Sequence, residues 1–250
     1  MMAAVFANAT IWLAEYASTV WLLGDLEKWL PVFPVVVLIV VGAIAVFSQM
    51  AASASRRKRT ESIQKAAEEL ALSFSQAVSY EQMEQLVQFP LLQRGANREY
   101  TNVVMAETDQ LRLMLLDHKY VTGSGKNRST HRQSVSWVSS SQLNIPSFNL
   151  YPETWFHRMG DLLLKRDIDF DEDPIFSHKF VLSGSDQAAI REFFDARRRQ
   201  ALLKINLPNI EAVRHGFVFY RPGKLVDPGE LKSLMNEAFS LYQAFAPVQP

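Results

Sequence analysis

The feature that most constrains this chain is an uncharged stretch of 23 residues that runs from Val32 to Ala54. An α-helix rises about 1.5 Å per residue, so roughly 20 residues cross a hydrocarbon core about 30 Å thick. Helices buried in globular proteins are usually only about 10–14 residues long, and most keep a polar face. The stretch therefore predicts a transmembrane helix rather than a core helix.

Four consecutive basic residues, Arg56, Arg57, Lys58 and Arg59, follow this stretch almost at once. The other flank, residues 24–31, carries two acidic residues and one lysine. Because Lys and Arg near a membrane segment stay on the cytoplasmic side, we expect everything from Arg56 onward to face the cytoplasm. The basic run predicts either a plain stop-transfer signal or a contact with anionic lipid headgroups.

The first 30 residues allow two interpretations. They are mostly apolar but contain Asn8 and Glu15, and three of the five tryptophans of the chain lie here. One interpretation is an amphipathic helix at the outer interface, and the other is a first transmembrane crossing. A carboxylate within hydrocarbon is costly, so Glu15 favours the interfacial helix. Both interpretations leave the large domain in the cytoplasm.

Composition excludes several classes of chemistry. The chain has no cysteine, which excludes disulfides, thiolate metal sites and a cysteine nucleophile. It carries 26 Lys and Arg against 26 Asp and Glu, so we expect no strongly basic surface for nucleic acid. About 195 residues follow the membrane segment, and that length suffices for one domain with a core of its own.

Hydrophobic periodicity indicates how this domain is built. A helical pattern covers residues 60–74, and Asp227 with Pro228 begins a carboxyl-terminal amphipathic helix. Alternation of apolar and polar residues predicts strands, chiefly over residues 101–106, 111–121, 133–138, 176–182 and 217–220. The pattern predicts an α+β fold, in which an N-terminal membrane segment precedes a mostly antiparallel β-sheet with helices packed on it.

These observations divide the chain into four predicted segments. Residues 1–30 form the interfacial helix or first crossing, and residues 31–55 form the transmembrane helix. Residues 56–90 comprise the juxtamembrane basic stop and stalk helices. Residues 91–250 comprise the cytoplasmic α+β domain.

A glycine-rich turn between two predicted strands supplies candidate site residues. If Ser124 and Gly125 form a two-residue hairpin turn, His118 faces His131 directly on the neighbouring strand. Two facing imidazoles could hold a metal ion or respond to pH. In that register Asp117 would pair with Arg132 on the other face.

The same turn is basic. Lys126, Arg128 and Arg132 cluster at its tip, where they could bind lipid headgroups or a protein partner.

Several segments resemble a family of uncharacterised bacterial membrane-anchored proteins. The resemblance covers roughly residues 60–245, and it is carried by FPLLQRG at residues 89–95, TNVV at 101–104, YVTGSGKNRSTHRQ at 120–133 and FVFYRPG at 217–223. It implies a bacterial protein of the cytoplasmic membrane. It implies no activity, because none is assigned to the family.

No nucleophile elbow, zinc-protease helix or dinucleotide-binding glycine run occurs in the sequence. We therefore expect a membrane-anchored cytoplasmic module without catalytic activity and without a cofactor. Its expected partner is a protein or a lipid headgroup. The alternative is a metal-dependent enzyme or sensor that uses His118 and His131.

Overall fold

A computed structural model describes residues 33–156, 167–206 and 209–247. The predicted interfacial helix or first crossing, residues 1–30, lies outside them. The chain divides into two compact units, the first ending at Lys58 and the second beginning at Arg59. Helix α1 (Phe33–Glu69) supplies the described part of the first unit and continues into the second. By length and composition α1 could cross a membrane, and none of its apolar stretch is buried.

The second unit is built on an antiparallel sheet. Its described strands are β1 (Ser73–Ala77), β2 (Ala96–Glu107), β3 (Arg112–Thr122), β4 (Ser129–Ser139), β5 (Phe148–Pro152), β6 (Phe180–Gly184), β7 (Asn209–Val213) and β8 (Gly216–Tyr220). They form one eight-stranded sheet in the order β1-β2-β3-β4-β8-β7-β5-β6, in which every described pair is antiparallel. The predicted α+β class is confirmed.

The described helices of this unit are short except for the last. After α1 they are α2 (Tyr80–Leu86), α3 (Pro90–Gln93), α4 (Glu153–Phe156), α5 (Pro174–Lys179), α6 (Gln187–Phe193), α7 (Ala196–Leu203) and α8 (Leu231–Phe245). Asp227 accepts a hydrogen bond from the Gly229 N–H and begins a 3₁₀ turn that leads into α8. The predicted carboxyl-terminal helix is confirmed, with this extra turn before it.

One face of the sheet, here the α8 face, carries the larger core. Phe217 and Phe219 of β8 project into it and pack with Leu241 and Phe245 of α8. Nearer β2 and β3, Ile63 and Ala67 of α1 join Val104 and Leu115 in a second cluster on this face. Burying one such large side chain contributes about 1.5–3 kcal/mol. The carboxyl-terminal part of α1 is thus anchored to the sheet by apolar contacts.

The opposite face, here the α3 face, is covered by α2 and α3. Leu86, Phe89, Leu91 and Leu92 are buried there against side chains of β3, β4 and β8. Pro90 begins α3 and cannot extend the preceding helix, so the chain turns sharply and lays the FPLLQRG segment on the sheet.

Two local predictions were wrong, and one strand was not predicted. The helix predicted over residues 60–74 ends at Glu69, because Ala71 adopts a left-handed conformation (φ 55°) and the chain then forms β1. The strand predicted over 176–182 begins only at Phe180, since Asp173 and Pro174 first cap a short helix. Strand β7 was missed, although its residues largely alternate between polar and apolar as in other strands.

Candidate functional site

The hairpin between β3 and β4 has a longer loop than the two-residue turn that we predicted. Pairing ends at Thr122 and Ser129, and a 3₁₀ turn over Gly125–Asn127 fills the loop. Gly123 has φ 71°, and a Cβ atom there would lie 2.2 Å from the carbonyl oxygen of Asn127. Glycine is therefore required at this position, and its close approach fixes the loop length.

The longer loop shifts the register, so the predicted direct pairing of His118 with His131 was wrong. His118 lies opposite Gln133, and His131 lies opposite Tyr120. The Tyr120 ring stacks on both imidazoles, with centroid distances of 5.1 Å to His118 and 4.7 Å to His131. It separates the two histidines that the metal hypothesis required to face each other.

His118 lies in the middle of an aromatic stack on the α3 face. Its ring is fully buried between Tyr100 and Tyr120, and neither of its ring nitrogens has a hydrogen-bond partner in the described part of the chain. Burial, and secondarily the charge of Arg98, lowers the pKa of His118 from 6.5 to about 4. The imidazole is therefore neutral at physiological pH.

His131, at the other end of the stack, has a different environment. Its Nε2 lies 2.8 Å from the hydroxyl of Thr122. Within residues 33–156, 167–206 and 209–247, no group of three or more His, Asp or Glu is arranged to hold a metal ion. Metal binding by His118 and His131 stays a prediction, without the facing geometry that motivated it.

A polar cluster, here the Arg59 clamp (Arg59, Thr60, Asn102, Asp117 and Ser134), fixes α1 to the α8 face of the sheet. The Arg59 guanidinium donates two hydrogen bonds to the Asp117 carboxylate, at 2.7 and 2.8 Å. Asp117 also accepts hydrogen bonds from the Ser134 hydroxyl at 2.7 Å and the Asn102 amide at 2.8 Å. Thr60 donates to Asn102 at 2.8 Å. These charge-assisted and neutral hydrogen bonds fix the position of the partly buried carboxylate between α1 and the sheet.

The clamp corrects two expectations from the sequence. Asp117 pairs across the strands with Ser134 and not with Arg132, which lies opposite Lys119. Arg59 was grouped with the lipid-binding residues, but its guanidinium bonds to Asp117 and to the backbone carbonyl of Val226. The sequence alone could not show that Arg59 has a structural role and Arg57 does not. That role depends on which helix residue contacts the sheet.

The clamp also defines a direction. Ile63 clusters with Leu115, and one helical turn earlier Arg59 bonds to Asp117. That step covers about 6 Å along the helix, and about 6.6 Å along the strand. Helix α1 and strand β3 therefore run antiparallel: moving from Leu115 to Asp117 toward the hairpin corresponds to moving from Ile63 back to Arg59. The hairpin therefore lies at the end of the sheet where the chain enters the second unit.

Next to the clamp, the same face carries an open basic hollow of about 500 Å³. Arg98, Lys119, Arg128 and Arg132 line it, together with one acidic residue, Glu99. A bulge in β2 between Ala96 and Glu99 interrupts the regular pairing with β3 beside the hollow. Such bulges bend a strand and redirect its side chains.

The cations at this end of the sheet differ in whether they are already paired. Lys119 forms an ion pair with Glu99 at 2.5 Å, and Arg98 donates to the carbonyl oxygens of Gln93 and Gly95. By contrast, the guanidinium groups of Arg128 and Arg132 have no hydrogen bond or ion pair with any residue that the structure describes. Lys126, at the loop tip, is exposed and likewise unpaired within this part of the chain.

The remaining predicted site residues lie on α1. Arg56 and Arg57 are exposed on the helix, as is Lys58. Their predicted contact with lipid headgroups or a partner stays a prediction.

A buried carboxylate on the α3 face was missed by the sequence reasoning. Glu211 of β7 is only 3% exposed and accepts hydrogen bonds from the Leu91 N–H at 2.8 Å and the Tyr220 hydroxyl at 3.2 Å. Burial raises the pKa of Glu211, although these donors oppose the shift. The carboxylate holds the start of α3 against the sheet. The only sequence signal for this buried carboxylate was the position of an acidic residue between two apolar ones, Ile210 and Ala212.

The comparisons with known proteins show the fold and not a family. No family model matches the chain, and no curated protein matches it. The chain is similar to the crystal structure of the mycobacterial trehalose monomycolate transport factor A, TtfA, with a TM-score of 0.51 and 9% identity. The match covers 78% of this chain and 99% of that chain. At this identity the likeness shows a shared fold alone, and the resemblance to an uncharacterised family stays a prediction.

Proposed function

We propose that this protein is a membrane-anchored cytoplasmic module that acts by binding, without catalysis, and that its basic hairpin faces the bilayer surface. The observation that carries the proposal is the direction of α1 on the sheet. The chain enters the second unit at Arg59, and the β3–β4 hairpin lies at that same end. A tether that leaves the membrane there would bring the hairpin close to the headgroups.

Charge supports anionic lipid headgroups as the partner. Lys126, Arg128 and Arg132 lie at this end, and Arg56 and Arg57 precede it on α1. Each basic residue near an anionic membrane surface contributes about 1 kcal/mol of attraction, which decays over a Debye length. An acidic surface of a neighbouring membrane protein could pair with the same basic residues. The experiment below distinguishes a lipid partner from a protein partner.

The basic run beside the apolar stretch supports the cytoplasmic orientation. Arg56, Arg57 and Lys58 lie close to the carboxyl end of a long apolar helix, where basic residues favour the cytoplasmic side. We place the protein in the cytoplasmic membrane of a bacterium on this basis together with the family resemblance. The fold shared with TtfA, which is described as a transport factor, is compatible with a binding role.

Hydrogen exchange of the full chain in lipid nanodiscs tests the proposal. We expect amides of residues 120–132 to exchange more slowly in nanodiscs rich in anionic lipid than in zwitterionic nanodiscs. The triple variant K126E/R128E/R132E should lose this protection, since it reverses the charge of the hairpin end. The β2–β3 loop near Asp109, at the other end of β3, serves as an internal control that should not change.

Equal exchange of the hairpin in both nanodiscs would overturn lipid binding. If lipid gives no protection, but a membrane protein captured by the wild-type chain is lost with the triple variant, the partner is a protein. If the triple variant changes neither measurement, the hairpin end has no binding role.

A further inference from the structure

The basic hollow carries an inference that rests on the proposed function and makes it more specific. Lys119 and Arg132 are direct cross-strand partners on the same face of the hairpin. Their Cβ atoms are therefore roughly 5 Å apart, and like charges placed directly opposite each other are destabilising. Arg98 and Arg128 line the same hollow, and only Glu99 is acidic. A fold that keeps this many cations together favours an anionic ligand.

The pairing pattern indicates what charge that ligand carries. Glu99 neutralises Lys119, whereas the two carbonyl oxygens that accept from Nη1 of Arg98 leave the charge of Arg98 uncompensated. Arg128 and Arg132 are left, each without a hydrogen bond or ion pair among the described residues. Two guanidinium groups with free donors, beside the uncompensated charge of Arg98, favour a dianion over a monoanion. A phosphomonoester carries about −1.5 to −2 charges at neutral pH and presents the oxygen geometry that arginine binds in a bidentate manner.

We propose that this hollow binds a phosphomonoester dianion and that a lipid headgroup carries it. The hollow opens at the end of the sheet that the chain enters from its apolar helix, so a headgroup could reach it from the bilayer. The volume of about 500 Å³ is sufficient for a phosphate group with part of its glycerol. This site selects a phosphate by geometry, whereas the hairpin end as a whole attracts any anionic surface.

Titration of the full chain in detergent micelles, followed by native mass spectrometry, tests the proposal. The probes are short-chain phosphatidic acid, which is a phosphomonoester, short-chain phosphatidylglycerol, which is a phosphodiester, and inorganic phosphate. We expect one phosphatidic acid per chain, bound more tightly than phosphatidylglycerol. Removing one charge-assisted contact should weaken binding about tenfold in Arg132→Gln and in Arg128→Gln.

Lys126→Gln is the matched control, because Lys126 lies at the same tip but does not line the hollow. Because Lys126 still adds charge to the hairpin end, the proposal expects Lys126→Gln to weaken the binding of phosphatidic acid far less than the tenfold expected for Arg132→Gln. If Lys126→Gln weakens binding as much as Arg132→Gln, the affinity comes from diffuse charge at the hairpin end. The phosphate site in the hollow is then overturned, while the proposed function stands. If inorganic phosphate binds as tightly as phosphatidic acid, the site holds but the lipid source is overturned. If no variant changes the binding of phosphatidic acid, the phosphate site in the hollow is overturned, and the nanodisc exchange experiment alone decides the proposed function.

Discussion

Two successive residue pairs on one face of the β3–β4 hairpin have opposite electrostatic character. Asp117 and Ser134 lie opposite each other in the Arg59 clamp, where the carboxylate meets a guanidinium and two further donors. Two residues further along, Lys119 lies opposite Arg132, so two cations share one cross-strand position. The first pair has complementary partners within the fold, whereas in the second only Lys119 has a counterion, Glu99, and Arg132 has none among the described residues.

This difference separates residues that hold the fold from residues available to a ligand. A charge with complete internal partners contributes to stability and is costly to disturb. A charge without partners contributes little to stability and is free to bind an anion. The comparison therefore assigns Arg59 to the fold and Arg132 to the binding surface, although both are arginines beside the same hairpin.

The largest expected effect is the loss of the Asp117 charge. Asp117→Asn leaves Arg59 partly buried without its counterion, so we expect the free energy of unfolding to fall by about 3–4 kcal/mol. Urea denaturation of the full chain in detergent micelles, followed by circular dichroism, measures it. Glu99→Gln is the matched control, since it breaks the more exposed ion pair with Lys119 and should cost only about 0–1 kcal/mol. Equal losses in the two variants would remove the distinction between clamp and hollow.

The next effect concerns His118, which lies between Asp117 and Lys119 but faces the opposite side of the sheet. Its pKa is lowered to about 4 by burial, below the ordinary value of 6.5, so the unfolded chain binds the proton more readily. Stability from this group is present above pH 6.5 and is lost as the pH falls toward 4, by roughly 2–3 kcal/mol in all. Urea denaturation at a series of pH values measures the loss.

Two variants isolate the histidine responsible for that pH dependence. His118→Phe keeps a ring in the stack and should flatten the stability profile between pH 6.5 and 4. His178→Phe replaces an exposed histidine and should leave the profile as it is in the wild type. A profile that keeps its slope in His118→Phe would show that another group titrates.

A smaller effect is expected at the loop that positions Arg128. Gly123→Ala places a Cβ atom against the Asn127 carbonyl at a position with φ 71°, which should cost about 1–2 kcal/mol and disturb the loop. Gly125→Ala also has a positive φ, of 55°, but has nothing within 4 Å of its Cβ. It should therefore cost less. Denaturation compares the two variants, and an equal cost in both would contradict the close approach at Gly123.

The smallest expected effect on stability is that of Arg132→Gln. Its guanidinium has no partner in the described part of the fold, so the free energy of unfolding should change by at most about 0.5 kcal/mol. Removing a cation opposite Lys119 could even stabilise the hairpin slightly. A loss above 1 kcal/mol, measured by the same urea denaturation, would make Arg132 a structural residue and overturn its assignment to the binding surface.

Sequence reasoning succeeded where one strong periodic signal acted alone. The uncharged stretch before Arg56 predicted the long apolar helix. The apolar stripe from Leu231 to Phe245, preceded by Asp227 and Pro228, predicted α8. These elements follow from local composition, so the α+β class could be derived before any contact was known.

The candidate site depended on contacts that the sequence does not specify. The facing of His118 and His131 was wrong because the length of one loop sets the register of the whole hairpin. Arg59 looked like its three basic neighbours until its contact with Asp117 was seen. The buried role of Glu211 was not predictable either, because its partners come from distant segments.

The most direct test of the account is whether the hairpin tip lies at the bilayer. Because the chain has no cysteine, Ser124→Cys and Asp109→Cys each accept a single environment-sensitive fluorophore, at the tip and at the opposite end of β3. In proteoliposomes that contain anionic lipid, the account predicts quenching of the dye at residue 124, but not of the dye at residue 109, by a quencher attached to the headgroups. Quenching at 109 with none at 124 would mean that the sheet is oriented the other way, which would contradict the proposed function.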